Sequence, residues 1–308
     1  MRVFLAGGTG AVGRRLVPLL VQHGHEVTAT TRTPAKAAAL AEQGATPAVL
    51  DALDADAVRD AVAAAGPEVV VHQLTALSGD LNWRRFDETF AATNELRTRG
   101  TDILLEAAAR VGARRFVAQS FFSVTMPDPP ASLRSTVEAM RHLERAVSAA
   151  DGLEGVVLRY GGFYGPGTSL AADGEQVAAV RRRMFPVIGD GSGRMSFVHI
   201  DDVASATLAA IESDVTGTFD IVDDEPAPSS EWLPCLAAAV GAPPPRRLPV
   251  WLARLVAGDA IVAMSTRIPG LSNAEAKRAL GWTPRWPSWR EGFRHGLSED
   301  GAWEGLAA

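Results

Sequence analysis

Gly7, Gly10 and Gly13 recur at intervals of three within Gly7-Gly8-Thr9-Gly10-Ala11-Val12-Gly13, directly after the apolar run Val3–Ala6. Each glycine has a distinct physical use in such a turn. Gly7 permits a tight reversal, Gly10 lets the backbone approach a pyrophosphate, and Gly13 lets the following helix pack closely on the strand. The first N–H groups of that helix then face the phosphates, reinforced by the positive end of its dipole. A strand, a glycine turn and a helix in this order read as a dinucleotide-binding element. The next strand ends at Thr30-Thr31-Arg32. A site for NAD places a carboxylate there, and a site for NADP places an arginine nearby. Thr31 takes the carboxylate position and Arg32 follows it, which favours NADP, with NAD as the alternative. The plainer reading of Arg32 is a solvated loop charge.

The elements that must hold this turn follow from the hydrophobic pattern. Short runs at Val3–Ala6, Glu26–Thr30, Val69–His72, Arg115–Gln119 and Gly155–Leu158 alternate with helical patterns at Val12–His23, Pro34–Gln43, Asp54–Ala64, Phe86–Val111 and Leu133–Ala150. The alternation predicts an α/β fold, a doubly wound parallel (Rossmann) sheet with helices on both faces. From about Gly161 the pattern loosens, and Pro243-Pro244-Pro245 forms a stiff break. Trp232, Trp251, Trp282, Trp286, Trp289 and Trp303 crowd the C-terminal part. The expected organisation is a dinucleotide-binding domain over 1–160, to which 195–225 returns. A smaller α-rich substrate lobe takes 161–194 and 226–308.

Composition narrows the classes. The 308 residues carry 30 Lys+Arg against 36 Asp+Glu, a net charge of −6, which argues against a nucleic-acid partner. The single cysteine, Cys235, excludes an internal disulfide framework and a Cys-rich zinc site, and fits a reducing compartment. No apolar stretch approaches the ~20 residues of a membrane helix, and the N-terminus lacks a secretory h-region. The sequence reads as that of a cytoplasmic protein with a small-molecule substrate and no membrane partner. No metal-binding motif is found. Asp201-Asp202 reads as a cap for the following helix.

Taken together, these segments resemble the extended branch of the short-chain dehydrogenase/reductase superfamily, which includes NAD-dependent epimerases and dehydratases. Leu50-Asp51-Ala52 is similar to its adenine-clasping segment, and Val71-His72-Gln73-Leu74-Thr75 to the strand passing under the cofactor. Arg159 with Phe163-Tyr164-Gly165-Pro166-Gly167, Phe197–Val203 and Leu280-Gly281-Trp282-Thr283-Pro284 resemble three later motifs. The resemblance implies cofactor contacts from Gly7, Thr9, Gly10, Ala11, Val12, Gly13, Arg32, Asp51, Ala52, Gln73, Leu74, Thr75 and Gln119. It also implies a homodimer in which the helices at 86–111 and 133–150 form a four-helix bundle.

The departures concern the proton relay. Relatives that reduce carbonyls use a Tyr-x-x-x-Lys pair assisted by Ser/Thr and Asn. Here Thr136 falls at the tyrosine position, Met140 at the lysine position, Phe121 near the serine and Arg97 at the asparagine. Met195 stands where sugar-nucleotide enzymes of this branch have a diphosphate-binding arginine. Losing a positioned general acid costs about 10²–10⁴ in rate. Tyr164 is the expected substitute donor, with Ser123 bonding a substrate oxygen. Phe121, Met140, Tyr164 and Met195 are expected to form an apolar substrate wall. His199 and His72 are read as structural. The leading expectation is an NADP-dependent oxidoreductase of atypical mechanism, acting on a small apolar or pre-activated carbonyl, enone or imine. A non-catalytic NADP(H) sensor and an epimerase or dehydratase are the other readings.

Overall fold

The computed structural model describes residues 1–77 and 82–299; Trp303 and the last part of the expected substrate lobe lie outside them. The strands are β1 (Arg2–Ala6), β2 (Glu26–Thr31), β3 (Thr46–Val49), β4 (Val69–His72), β5 (Arg115–Phe121), β6 (Glu154–Tyr160), β7 (Gly162–Tyr164), β8 (Val187–Ile188), β9 (Arg194–Met195), β10 (Phe197–His199) and β11 (Gly217–Ile221), followed by two-residue strands at Ala227–Pro228 and Arg247–Leu248. The α-helices are α1 (Ala11–Gln22), α2 (Ala37–Glu42), α3 (Ala55–Ala65), α4 (Phe86–Glu95), α5 (Thr101–Arg110), α6 (Ala131–Ser148), α7 (Glu175–Arg181), α8 (Ile200–Glu212), α9 (Ser229–Ala239), α10 (Val250–Arg267), α11 (Ala274–Leu280) and α12 (Trp289–His295). The central sheet has seven strands in the order β11-β6-β5-β4-β1-β2-β3. Every pairing in it is parallel.

Alternation along β1 assigns its side chains to two cores. Val3 and Leu5 join Leu16, Val17 and Leu20 of α1 and Val203 of α8 on one face. Phe4 joins Val58 and Val62 of α3, Leu104 of α5 and Leu143 of α6 on the other. A fully buried Val, Leu or Phe contributes roughly 1.5–3 kcal/mol, so the two sets of side chains clamp the sheet from both sides. The chain winds outward from β1 to β3, then crosses to β4 on the opposite side of β1. That reversal opens a crevice at the carboxyl ends of β1 and β4, where doubly wound sheets take their ligands.

Several elements differ from the sequence reading. Strand β3 carries Pro47 and lies at the sheet edge, the one place where a missing N–H costs no ladder bond. Strand β11, beside β6, forms the other edge. The helix expected over 86–111 is interrupted by a π-helical turn at Leu96–Gly100 between α4 and α5.

The C-terminal lobe packs on the ends of β7 and β10. Its core brings together Tyr164, Phe197, Trp232, Trp286, Trp289 and Phe293. Asp202 does not cap α8, contrary to expectation: that role falls to His199, whose Nδ1 accepts from the N–H of Asp201 at 3.2 Å. Asp202 reaches the later chain instead, where its carboxylate accepts from the N–H groups of Arg285 at 2.6 Å and Trp286 at 2.9 Å. The Asp202 carboxyl is nevertheless pushed up to about 6, because burial outweighs these two donors. Asp202→Ala removes the acceptor of both N–H groups, that of Trp286 buried, and should destabilise the protein by about 2–4 kcal/mol in urea unfolding; a loss below measurement error would refute the clasp.

Asp223, two residues beyond the end of β11, is 1% exposed. Burial raises its carboxyl from 3.8 to about 8. The folded state therefore holds a proton that the unfolded state releases first. The associated stability is complete below the unfolded value, declines as pH rises through the interval and is gone above about 8. Asp223→Asn should flatten the fall of Tm between pH 5 and pH 8; identical pH profiles in the two proteins would contradict this burial effect.

Candidate active site

The glycine turn sits at the carboxyl end of β1. Gly7 has φ +103°, a conformation that excludes ordinary side chains. Its N–H donates to Thr30 Oγ at 3.0 Å, and the N–H of Gly8 donates to the Thr30 carbonyl at 3.0 Å, so β2 anchors the turn. A Cβ on Gly13 would stand 2.3 Å from the Gly7 carbonyl oxygen and 2.5 Å from that of Gly8. One on Gly10 would meet only the Gly7 oxygen, at 3.4 Å, so the turn is open on that side. Gly10 is the N-cap of α1 and offers no side-chain cap. The N–H groups of Ala11, Val12 and Gly13 therefore lack intrahelical acceptors. Open space and uncapped donors together fit a phosphate group.

The flanking residues extend this cradle. Thr9 Oγ donates to Thr31 Oγ at 3.4 Å, and Arg32 is exposed, with no ion pair among the described residues. Asp51 is exposed and holds the next turn by accepting from the Leu53 N–H at 3.0 Å; Ala52 beside it is buried. On the other side of β1, the N–H of Gln73 donates to the Ala6 carbonyl at 2.9 Å. The Gln73 amide donates to Tyr160 Oη at 2.9 Å, leaving Oε1 buried with no partner among the described residues. Leu74 and Thr75 continue half-buried along this edge, and Gln119 is 9% exposed on β5.

At the catalytic end the residue types differ from a proton relay. Thr136 is buried, and its Oγ accepts from Asn94 Nδ2 at 3.1 Å. Met140 does not line the wall expected of it: it is fully buried with Val124 and Val137, and Phe121 packs over that cluster. The half-buried Phe121 faces Phe163 edge-on at 6.3 Å, and both Phe121 and Met195 pack on the cluster around Phe122 and Met126. Ser123 is 5% exposed, in a tight turn after β5.

Tyr164 is placed differently from the expected donor. It has no exposed surface and lies edge-on to Phe197, His199 and Phe293, with ring centroids at 6.4, 5.1 and 5.4 Å. Its hydroxyl has no hydrogen-bond partner among the described residues and abuts Gly292, where an added Cβ would stand 2.1 Å away. Burial, with the nearby Asp223 and Asp202 charges, raises this phenol well above its ordinary value. The Phe163-Tyr164 step turns the tyrosine into the C-terminal lobe, so this geometry does not support it as an acid toward the crevice. His199 is structural, Nε2 facing the Gly296 carbonyl at 2.9 Å. Burial drives buried His72 down to about 4, and it bonds Leu96 and Thr101.

The sheet order and the glycine turn define a dinucleotide-binding α/β protein. The NAD dependent epimerase/dehydratase family model matches residues 3–222, and the chain belongs to that family. A 3-diazoavenalumate denitrifying reductase from a Streptomyces species is 45% identical over 310 residues, covering 95% of this chain and 99% of the relative. A 2-alkyl-3-oxoalkanoate reductase from Stenotrophomonas maltophilia is 28% identical, covering 79% and 77%. Among solved structures, a human epimerase family protein with NADPH superposes with a TM-score of 0.75 at 24% identity, covering 96% of this chain and 99% of its own. A Thermus thermophilus UDP-glucose 4-epimerase with NAD gives 0.72 at 24% identity, covering 96% and 98%. Among the described residues, no helix is long and apolar enough to cross a membrane and no cluster suits a metal ion.

Gly13→Ala drives a methyl group into the turn carbonyls. It should weaken nicotinamide dinucleotide binding by about tenfold or more in a fluorescence titration, with folding checked by circular dichroism. Unchanged affinity would remove the cradle from the account.

Proposed function

We propose that this protein is an NADPH-dependent reductase that replaces the diazo group of a small aromatic compound with hydrogen. The observation that carries this reading is the pair Thr136 and Met140 where carbonyl reductases need an acid and its lysine. A ketone or aldehyde accepts hydride at carbon and needs a proton on oxygen, and a threonine hydroxyl is too weak an acid to supply it. An arenediazonium group already carries the positive charge that protonation would otherwise create.

Bound NADPH supplies one hydride. The terminal nitrogen of the diazonium accepts it to give an aryl diazene. The C–N bond then breaks with its electron pair on the ring carbon, which takes the N–H proton, while the N–H pair completes the triple bond of the departing N2. The charges balance: a cation and a hydride become a neutral arene and N2, with no external acid. The similarity to a diazo-acting reductase along nearly the whole of both chains supports this substrate class.

The chain's own residues divide the work in this scheme. Gly7, Thr9, Gly10, Ala11, Val12 and Gly13 hold the pyrophosphate. Asp51 and Ala52 border the adenosine, and Gln73, Leu74, Thr75 and Gln119 border the nicotinamide half. Arg32, beside Thr31, supports the phosphorylated dinucleotide, because no carboxylate there repels a 2′-phosphate. Phe121, Phe163 and Met195 form an apolar wall that keeps water from a reactive electrophile. Ser123 lies near this wall as a candidate for a substrate oxygen.

Stopped-flow mixing of NADPH-loaded protein with benzenediazonium should consume NADPH and release N2 in equal amounts. The second-order rate should exceed that for benzaldehyde by about 10²-fold or more. No consumption above the uncatalysed rate, or equal rates with both compounds, would refute the reading.

A further inference from the structure

Arg97 is a cation in an unusual setting. It is 4% exposed and lies in the π-helical turn between α4 and α5. Its Nη1 is buried with no hydrogen-bond partner, and it forms no ion pair, among the described residues. Burial lowers the guanidinium to about 10, so it stays charged at neutral pH. Removing a charge from water without a counter-ion costs several kcal/mol. His72, near enough for its protonated form to feel the Arg97 charge, is itself neutral and offers no compensation.

Its neighbours along the helix locate the side chain. One turn earlier, Thr93 Oγ accepts from the Ala76 N–H at 3.0 Å, securing the loop that follows β4. Asn94 donates to Thr136, the residue in the acid's place. Residue 97 lies four positions after the first and three after the second, so it shares their helix face. π-helical turns inserted in α-helices are frequent at functional sites. The dinucleotide supplies no anion on this side. Its phosphates belong at the β1 turn, and the sheet order puts β4 and β5 on the side away from β2 and β3. The nicotinamide half is uncharged when reduced and positive when oxidised.

We propose that Arg97 is an anion-binding residue for the substrate, recognising an oxygen conjugated with the diazo-bearing ring. This deepens the diazo-reductase reading and rests on it for the identity of the substrate. A diazo carbon conjugated with a ring carbonyl accepts hydride at its terminal nitrogen, and the displaced electron pair moves to that oxygen. The C–N bond then breaks with its electron pair on carbon, the N–H proton moves to that carbon, N2 departs and a phenolate remains. Charge grows on the oxygen as the hydride arrives, and a fixed guanidinium stabilises it there, as preorganised donors do at developing oxyanions. A charge-assisted contact of this kind needs no proton transfer.

The test is binding, which requires no turnover. NADP+-loaded full-length protein should bind 4-nitrophenolate at least about tenfold tighter than neutral nitrobenzene, with a shift of the phenolate absorption band. Arg97→Gln should abolish the preference and the shift while NADPH affinity changes by less than about threefold. Arg97→Lys should retain part of both, and this comparison carries the test if the glutamine variant does not fold. Equal binding of the two probes by the wild type, or a parallel loss of NADPH affinity in the variants, would overturn the proposal. If the preference is present but no diazo compound is reduced, the substrate reading fails and the anion site stands. If diazo reduction proceeds without the preference, the anion site fails and the substrate reading stands.

Discussion

The close approach of three backbone segments at the carboxyl end of β1 sets the position of everything else. Gly7 curls over Gln73, where a Cβ would stand 2.7 Å from the carbonyl oxygen, and Gly13 presses α1 against the carbonyls of Gly7 and Gly8. Strands β2 and β4 are paired to β1 on either side, so the turn, the Arg32 loop and the Gln73 edge form one unit. Side chains larger than hydrogen at Gly7 and Gly13 would separate these pieces. The uncapped start of α1 is a consequence: the donors that a side chain would satisfy elsewhere are left for a ligand.

The catalytic end inverts the usual distribution of charge. Carbonyl-reducing relatives place a lysine on the helix corresponding to α6, beneath the tyrosine it activates. Here α6 carries Thr136 and Met140 at those positions, and the buried cation, Arg97, lies in the π turn after α4. An arginine holds its proton too firmly to act as an acid. It can only attract or orient negative charge. The proposed chemistry is hydride delivery to an acceptor already electron-poor, with anionic oxygen held in place. In that chemistry the apolar wall of Phe121, Phe163 and Met195 and the buried guanidinium act on the same substrate.

The glycine turn was legible in the sequence because its physical requirements leave few alternatives and its strand–helix context is local. The two faces of the sheet were legible for the same reason, since period-two and period-3.6 patterns are short-range. Strand β3 was hidden by Pro47 and its position at the edge. Side-chain direction was not legible near the site. The Tyr164 segment was found by its glycines, but whether its ring faces the crevice or the tryptophan-rich lobe depends on Gly292, more than a hundred residues away. Asp202 was misread for a related reason: local spacing suggests a cap, whereas its two donors are Arg285 and Trp286. Arg97 carried a usable signal. Thr93, Arg97 and Thr101 recur at four-residue intervals on what became the buried face of the helix, and a charge in that register demands a partner.

On the proposed reading, hydride reaches its acceptor without help from an acid on the protein. The most direct test is the rate of a single turnover with an arenediazonium compound that has no ionisable substituent, measured in H2O and D2O between pH 6 and 9. A flat profile and a solvent isotope effect close to one are expected. A titrating limb in that range, or a solvent isotope effect of about two or more, would show that a proton moves in the rate-limiting step and would contradict that reading.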